Sequence, residues 1–311
     1  MAALPSLETL QRAQRAGDKT PLATALAELE RAPEGSATLD LLDAAWSAPR
    51  AHVIGLTGPP GVGKSTLAGA LIGRWRQSGT SIGVIAVDPS SKRSGGALLG
   101  DRTRLRTDPT DGGVFVRSMA ARDRLGGLAD LTLSAMVLMR ALFDRVLVET
   151  VGVGQSETDV ADTTDTVLFC VQPGSGDGVQ FMKAGIVEVP DVVAVTKADI
   201  GAAATRTRSD LAGALTLSPD AEGGWSVPVL AVSAQTGVGL DELDAAIDRH
   251  RAWLGEAGRL AGRRQVQSEL WYRAAIRERL GRDGAKTVPP FAAGSAVSPF
   301  RAISNIVSGR R

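Results

Sequence analysis

A glycine-rich segment that includes one lysine and one serine, GPPGVGKS at positions 58–65, carries the strongest chemical signal in the sequence. Its glycines permit backbone conformations that turn amide groups inward, and the helix predicted next adds its positive dipole end. Lys64 can reach the β and γ oxygens of a triphosphate, and the Ser65 hydroxyl can occupy one Mg²⁺ position. The segment predicts a Mg²⁺-dependent nucleotide site with phosphate contacts from Gly58, Pro59, Pro60, Gly61, Val62, Gly63, Lys64, Ser65 and Thr66.

Carboxylates that follow other predicted strands are the candidates for holding the metal. Glu149 ends the apolar run RVLVE, where P-loop proteins carry an acid that holds Mg²⁺ directly or through water, and Gly152 can offer its amide to the γ-phosphate. Asp88 ends IGVIAVD, and Asp101 lies in LLGDRTR. Mg²⁺ keeps several waters, so the three acids need not all bind it directly. Asp88 can instead cap a turn before Pro89, and Asp101 can be a solvated surface acid.

The segment VVAVTKAD, which follows another apolar run, indicates that the base is guanine. The Asp199 carboxylate can accept from both the ring N–H and the exocyclic amine of guanine, a donor pair that adenine lacks. The stem of Lys197 can lie over the base, and VSA at 232–234 can add a backbone amide toward the guanine oxygen. Alone, TKAD is also compatible with a plain helix cap. The predicted contacts with GTP or GDP are Thr196, Lys197, Asp199, Ser233 and Ala234.

Seven short runs rich in Val, Ile and Leu alternate with helical stretches and must position these residues: HVIGLTG, IGVIAVD, GVFVRS, RVLVET, TVLFCV, VVAVTK and VPVLAVS. Near-continuous apolar strands suit burial on both faces, so we predict an α/β fold with a doubly wound, mainly parallel sheet. The ligand is expected at the carboxyl ends of its strands.

Helical extensions are predicted on both sides of this nucleotide-binding domain. Residues 7–46 show helical spacing that is broken at 32–35, which predicts two or three helices. After about position 241 the chain again reads as helical and charged, with a last short helix after Pro299. We predict an N-terminal extension over 1–50, the P-loop domain over 51–250, and a helical arm over 251–311 that packs on the core or on a second subunit.

Composition excludes several classes of function. Lys and Arg total 35 against 34 Asp and Glu, so the sequence has no electrostatic footprint for nucleic acid or an anionic membrane. The one cysteine, Cys170, lies in an apolar run and reads as a buried hydrophobe, and with His52 and His250 it makes no transition-metal cluster. The sequence shows no export signal and no stretch of about 20 apolar residues, so we predict a cytoplasmic protein.

Four stretches resemble one known group of proteins: GPPGVGKSTL, VAVDPSSKRSGGALLGDRTR, VFVRSMAARDRLGGLA and VETVGVGQSETDVADTTD. The sequence is similar to the MeaB/ArgK group of GTPases, which includes the methylmalonic aciduria type A protein, within the SIMIBI class. The resemblance covers roughly positions 53–200. It implies a homodimeric chaperone of adenosylcobalamin-dependent acyl-CoA mutases, chiefly methylmalonyl-CoA mutase. Such a protein gates cofactor delivery and protects the mutase, with GTP as the timer.

The resemblance also assigns roles to individual positions. It matches Lys64 and Ser65 to phosphate and Mg²⁺, and Asp88, Asp101 and Glu149 to the acids around the metal. It places switch I at Ser90–Arg106, switch II at Val151–Asp162, and a third switch with polar positions Gln180, Lys183 and Glu188.

Two departures from the family pattern concern the third switch and the base loop. Gly178 and Val179 replace a usual Glu-Leu pair, so the resemblance is weaker in the segment implied to signal to the partner than in the nucleotide loops. Thr196 replaces the commoner asparagine, which is expected to loosen bonding between loops without abolishing guanine selection.

The residues themselves predict slow turnover. Val153 follows Gly152 where a Ras-type enzyme places its water-orienting glutamine. Lys64 is the charged catalytic residue, and Gln155 and Asp101 are the candidates for positioning water. A group supplied by a partner, or a reoriented switch, can complete the site, since a well-placed charge contributes about 10³–10⁵ in rate.

Two other functions compete with the mutase chaperone. One is a metallochaperone GTPase of the same class that delivers nickel or zinc, against which the missing Cys/His cluster counts. The other is an ATPase or kinase linked to the transport of basic amino acids. It requires selection of ATP, which TKAD opposes.

Overall fold

Seven parallel strands form the centre of the described part of the chain. They are β1 (His52–Thr57), β2 (Ile82–Pro89), β3 (Val114–Ala121), β4 (Arg145–Glu149), β5 (Thr166–Val171), β6 (Val192–Val195) and β7 (Val229–Ala231). Their order in the sheet is β3-β2-β4-β1-β5-β6-β7, and all six pairings are parallel. This computed structural model describes residues 4–89, 107–121, 130–150, 160–174, 189–215, 224–292, 294–295 and 297–309.

The sheet is buried on both faces, which explains the continuous apolar strings. Every residue of β1, β4, β5 and β6 is buried. Alternate residues of one strand enter different cores: Val53 packs with the helices on one face, and Ile54 packs with those on the other. The predicted α/β fold with a parallel sheet is confirmed, and all seven predicted strands are present.

Helices cover both faces of the sheet. They are α1 (Leu7–Arg15), α2 (Thr20–Arg31), α3 (Ser36–Ser47), α4 (Lys64–Gln77), α5 (Asp130–Arg140), α6 (Ala202–Leu215), α7 (Leu240–Gly255), α8 (Arg259–Lys286) and α9 (Pro299–Ser308). Helices α1, α2, α3 and α5 share the core of one face, whereas α4 and α7 share the core of the other.

Strand order sets the place of the site. From β1 the chain runs outward through β2 and β3 on one side of the sheet, and β5, β6 and β7 lie on the other side. A crevice outside the carboxyl ends of the strands is expected at such a reversal. The pairing of β1 with β4 sets Leu56 opposite Glu149, and its pairing with β5 sets Thr57 opposite Phe169. The 58–65 segment therefore begins beside Glu149.

The terminal helices agree with the sequence pattern. Three helices precede β1, and the predicted break at 32–35 separates α2 from α3. Helix α8 contains a kink at Gly281, where φ is 71° and ψ is −179°, and α9 begins at Pro299 as predicted. The division into extensions and a central domain stays a prediction, because the N-terminal helices share one core with the sheet. Among the described helices, none is long and apolar enough to cross a membrane.

Candidate functional site

The 58–65 segment forms a loop between β1 and α4. Gly58, Gly61 and Gly63 adopt φ values of 130°, 76° and 98°, a region that side chains rarely enter. A Cβ atom at Gly58 would lie 2.1 Å from the carbonyl oxygen of Cys170 in β5, so this glycine is also required by close packing. The loop therefore takes its shape from its glycines, and Gly63 caps a helix that begins at Lys64.

Lys64 and Ser65 lie at the start of α4 and point to different partners. The buried Lys64 ammonium donates to the carbonyl oxygens of Gly58 and Pro59, at 2.7 and 2.9 Å. The Ser65 hydroxyl donates to Glu149 Oε1 at 2.5 Å. The structure thus joins two of the four predicted metal residues at the carboxyl end of β4. Hydroxyl and carboxylate oxygens are the ligands that Mg²⁺ prefers, so this pair fits the ion.

The other predicted metal, catalytic and switch residues are only partly described. The backbone of Asp88 lies at the carboxyl end of β2, next to β4, and its side chain is outside the described atoms. The predictions outside the described residues are Asp101, Gly152, Gln155, Gln180, Lys183, Glu188, all of switch I, and switch II up to position 159. Their assignments stay predictions.

The base loop is bonded directly to the phosphate loop. The buried Thr196 hydroxyl lies 2.7 Å from the Val62 carbonyl oxygen and 2.9 Å from that of Val171. Lys197 adopts left-handed backbone angles, φ 55° and ψ 42°, and its ammonium donates to Gly61 O at 3.2 Å and to Gln172. The hydroxyl has one proton for these two carbonyl oxygens, so the expected loosening relative to asparagine stays a prediction.

Asp199 is exposed and is oriented by Ser233. The Ser233 hydroxyl donates to Asp199 Oδ1 at 2.6 Å, and this hydrogen bond is the main cause that lowers the pKa of Asp199. An ionised carboxylate accepts hydrogen bonds only, as recognition of two guanine donors requires. The Ser233 backbone N–H donates to Val238 O at 2.8 Å, whereas the amide of Ala234 has no acceptor among the described residues. Of the two, Ala234 is the better candidate for the guanine oxygen.

Three polar residues at this edge escaped the sequence reasoning. The buried Thr150 hydroxyl donates to Thr57 Oγ1 at 3.0 Å, which links the ends of β4 and β1. Gln172 follows β5 and accepts from Lys197 at 2.5 Å. The three residues, Thr57, Thr150 and Gln172, each follow or end a buried apolar run. That position in the sequence could have marked them as residues of the site. Cys170 is buried, as predicted, and burial raises the pKa of its thiol to about 12.

Comparison with known proteins identifies the family. The family model described as "Methylmalonyl Co-A mutase-associated GTPase MeaB" matches residues 21–287. The chain is 37% identical over 274 residues to the GTPase ArgK of Escherichia coli, covering 86% of this chain and 82% of that protein. It is also 37% identical over 228 residues to the mitochondrial methylmalonic aciduria type A homolog of Mus musculus, covering 72% and 55%.

A solved structure supports the same assignment. The crystal structure of a LAO/AO transport system kinase superposes with a TM-score of 0.67 at 27% identity and covers 97% of both chains. The site, the fold and these similarities agree on a P-loop GTPase. The chain belongs to the MeaB family of methylmalonyl-CoA mutase-associated GTPases.

Proposed function

We propose that this GTPase is a Mg²⁺-dependent chaperone of an adenosylcobalamin-dependent acyl-CoA mutase of the methylmalonyl-CoA mutase type. Slow hydrolysis of GTP to GDP would time the delivery of the cofactor and the protection of the mutase. The observation that carries the proposal is the convergence of phosphate, metal and base groups at one sheet edge in a chain that matches the MeaB family model. The name of the mouse relative supports the same class of partner.

The phosphate end of the site suits Mg²⁺·GTP. Ser65 and Glu149 would hold the ion together with Asp88 and Asp101, directly or through waters. Bound there, Mg²⁺ would neutralise charge on the phosphate oxygens. The Lys64 ammonium is pinned to loop carbonyls at the same place and would move onto the β and γ oxygens of the nucleotide.

The base end of the site suits guanine rather than adenine. Asp199 would accept from the two guanine donors, and Ser233 holds its carboxylate in one orientation. The Lys197 stem would cover one face of the base, because its ammonium is fixed to the phosphate loop and to Gln172. Adenine would leave the carboxylate without its donor pair and is therefore rejected.

Partner contacts would lie in the switches and in the C-terminal arm. The third switch, with Gln180, Lys183 and Glu188, is the proposed signal to the mutase. A homodimer would use α8, where Val266 and Leu270 are one helical turn apart and 60% and 49% exposed. A group supplied by the partner would raise the slow turnover that Gln155 and Asp101 provide alone.

The test measures hydrolysis of GTP and ATP by the purified protein with and without methylmalonyl-CoA mutase. We expect a preference for GTP and a faster rate when the mutase is present. An Asp199→Asn variant is the matched control, since it should lose the preference while keeping the fold. A preference for ATP, or the same rate with every adenosylcobalamin mutase tried, would overturn the proposal. Release of nickel or zinc during turnover would favour the metallochaperone instead.

A further inference from the structure

A second concave site lies far along the chain from the nucleotide loops, at the kink of α8. The groove has a volume of about 330 Å³ and is bounded by the helix on either side of Gly281 and by the segment that follows it. Gly281 permits the kink, because a residue without a Cβ atom adopts a φ of 71° without steric strain. The volume is within the range of small-molecule sites.

The groove is strongly basic. Arg273, Arg277, Arg282 and Lys286 line it, and none of the described residues that line it is acidic. Arg273 is paired with Glu269, and Lys286 is paired with Asp283. Arg277 and Arg282 are exposed and have no ion-pair partner among the described residues. Two guanidinium groups are therefore available to an anion. Each guanidinium group can donate two parallel N–H···O hydrogen bonds to the oxygens of one phosphate.

The remaining walls are apolar and contain one unusual hydroxyl. Ile276, Val288 and Pro289 line the groove together with Tyr272, which is 3% exposed. The Tyr272 ring is buried, but its hydroxyl makes no hydrogen bond with any described residue and is not one of the enclosed polar atoms, so it opens onto the groove. Burial raises the pKa of this phenol, so it is a neutral donor at physiological pH. A donor held in the wall of a cationic groove is ready for a ligand oxygen.

We propose that this groove binds a small molecule that carries at least two phosphate groups beside an apolar or aromatic portion. Arg277 and Arg282 would contact the phosphates, the Tyr272 hydroxyl would donate to an oxygen, and the apolar walls would cover the rest. An acidic protein segment fits less well, since its carboxylates do not match a short groove that is apolar on one side. The proposal does not depend on the function of the nucleotide site, and the groove lies on α8 from Tyr272 onward, C-terminal to Val266 and Leu270, the residues proposed for the homodimer contact.

The experiment measures binding to the full chain by calorimetry in the presence of saturating Mg²⁺·GDP, which occupies the nucleotide site. Coenzyme A, ADP and pyrophosphate are the probes. The first two combine phosphates with an adenosine body, and only coenzyme A adds the pantetheine arm. We expect coenzyme A or ADP to bind at least about tenfold more tightly than pyrophosphate, because pyrophosphate cannot use the apolar walls. Equal affinity for all three probes, or no binding below about 1 mM, would overturn the proposal.

Variants separate this site from general electrostatic attraction. Arg277→Gln and Arg282→Gln should each weaken binding about tenfold or more. Arg206→Gln is the matched control, because Arg206 is also an exposed helical arginine, on α6, and its loss should leave binding unchanged. Tyr272→Phe should weaken binding several-fold without lowering the melting temperature, since its hydroxyl stabilises nothing else in the described chain. A loss that is equal in the Arg206 variant, or absent in both groove variants, would contradict a defined site.

Discussion

The carboxyl ends and the amino ends of the strands use polar residues in opposite ways. We call these two sides of the sheet the carboxyl edge and the amino edge. At the carboxyl edge, polar side chains make short hydrogen bonds and surround the place proposed for the nucleotide, among them Lys64, Ser65 and Asp199. At the amino edge, polar side chains are paired with one another deep inside the protein. There they bind helices α7 and α8 to the sheet. The carboxyl edge is therefore arranged to bind a ligand, whereas the amino edge stabilises the fold.

Two histidines meet one threonine at the amino edge. Thr166 is the first residue of β5. Its hydroxyl oxygen lies 2.7 Å from His52 Nε2 and 2.7 Å from His250 Nδ1. A hydroxyl has one proton, so it donates to one imidazole and accepts from the other. His250 Nε2 lies 3.3 Å from Asp191 Oδ1 without a hydrogen bond between them, and the negative charge favours a proton on that nitrogen. The chain of bonds then runs from His52 through Thr166 to His250 and links β1, β5 and α7.

Two arginines of α8 reach the same edge. Arg264 bonds both oxygens of the buried Asp165, at 2.8 and 2.7 Å, and Asp165 also accepts from the Val53 amide at 2.8 Å. Arg263 bonds both oxygens of Asp191 at 3.0 and 2.8 Å. These bidentate pairs fix α8 to the starts of the strands. The difference between the edges predicts that substitutions at one impair nucleotide chemistry, whereas substitutions at the other impair stability.

The largest effect is expected from Lys64→Ala at the carboxyl edge. The variant removes the one cation of the phosphate loop, so kcat/KM for GTP should fall by about 10³-fold or more. The melting temperature of the nucleotide-free protein should change little, since the hydrogen bonds of the lysine to the carbonyl oxygens of Gly58 and Pro59 stay within the loop. Hydrolysis assays and thermal unfolding measure the two quantities. Retention of more than a tenth of the activity would remove Lys64 from the mechanism.

The opposite result, a loss of stability without a loss of nucleotide binding, is expected from Asp165→Asn at the amino edge. The change leaves the Arg264 guanidinium without its buried counter-charge, so the free energy of unfolding should fall by about 3–5 kcal/mol. Affinity for GDP should stay the same. The control is Asp248→Asn, whose partner is Arg145 and whose side chain is 51% exposed, with an expected loss below about 1 kcal/mol. Equal losses in both variants would contradict a special role for the buried pair.

The sequence predicted the carboxyl edge much better than the amino edge, for a physical reason. The residues that hold phosphate lie within eight consecutive positions, and each further group follows an apolar strand, so local order reveals them. Arg264 and Asp165 are 99 positions apart, and either residue alone reads as an ordinary surface charge. Their pairing depends on how α8 returns to the sheet, which no local pattern contains.

The order of the strands was also beyond the sequence reasoning. Apolar runs predicted seven strands and a parallel sheet, but the place of β1 between β4 and β5 follows from packing of helices on two faces. The kink at Gly281 was missed for a related reason, since a single glycine in a charged helical stretch is compatible with a straight helix.

Acid should weaken the amino edge before it affects the carboxylates. Burial lowers the pKa of His52 to about 3 and of His250 to about 4. In the unfolded chain both protonate near pH 6.5, so the unfolded state binds more protons and stability falls as the pH drops below that value. Between pH 7 and 5 each histidine should contribute a loss of about 2 kcal/mol.

Urea unfolding at pH 7, 6 and 5 measures this loss. Asp165 also has a lowered pKa, but its contribution is lost only near and below the ordinary range of carboxylates, outside this window. A His52→Gln variant should show about half the dependence on pH, because only His250 remains to titrate. A wild-type protein equally stable at pH 7 and 5 would show that the histidines are not buried as neutral groups.

Base selection at the carboxyl edge should respond to Asp199→Asn. An amide donates where the carboxylate accepts, so affinity for GTP should fall by about 10–100-fold. Affinity for XTP should rise, because xanthine offers an oxygen where guanine has its amine. Ser233→Ala should give a smaller loss, since it removes only the bond that orients the carboxylate. Competition assays with labelled GDP and the circular dichroism spectrum separate selection from folding.

The smallest effect is expected at Thr196. This residue lies at the carboxyl edge, but its hydrogen bonds have a structural role like those at the amino edge. It lies in the base loop, yet its hydroxyl bonds backbone carbonyls as the amino-edge residues bond one another. Thr196→Val keeps the shape and removes the hydrogen bonds, so the free energy of unfolding should fall by about 1–2 kcal/mol. Affinity for GDP should fall only a few-fold, while Thr196→Ser should retain both. A Val variant that loses nucleotide binding but no stability would place Thr196 with the ligand residues and blur the division between the edges.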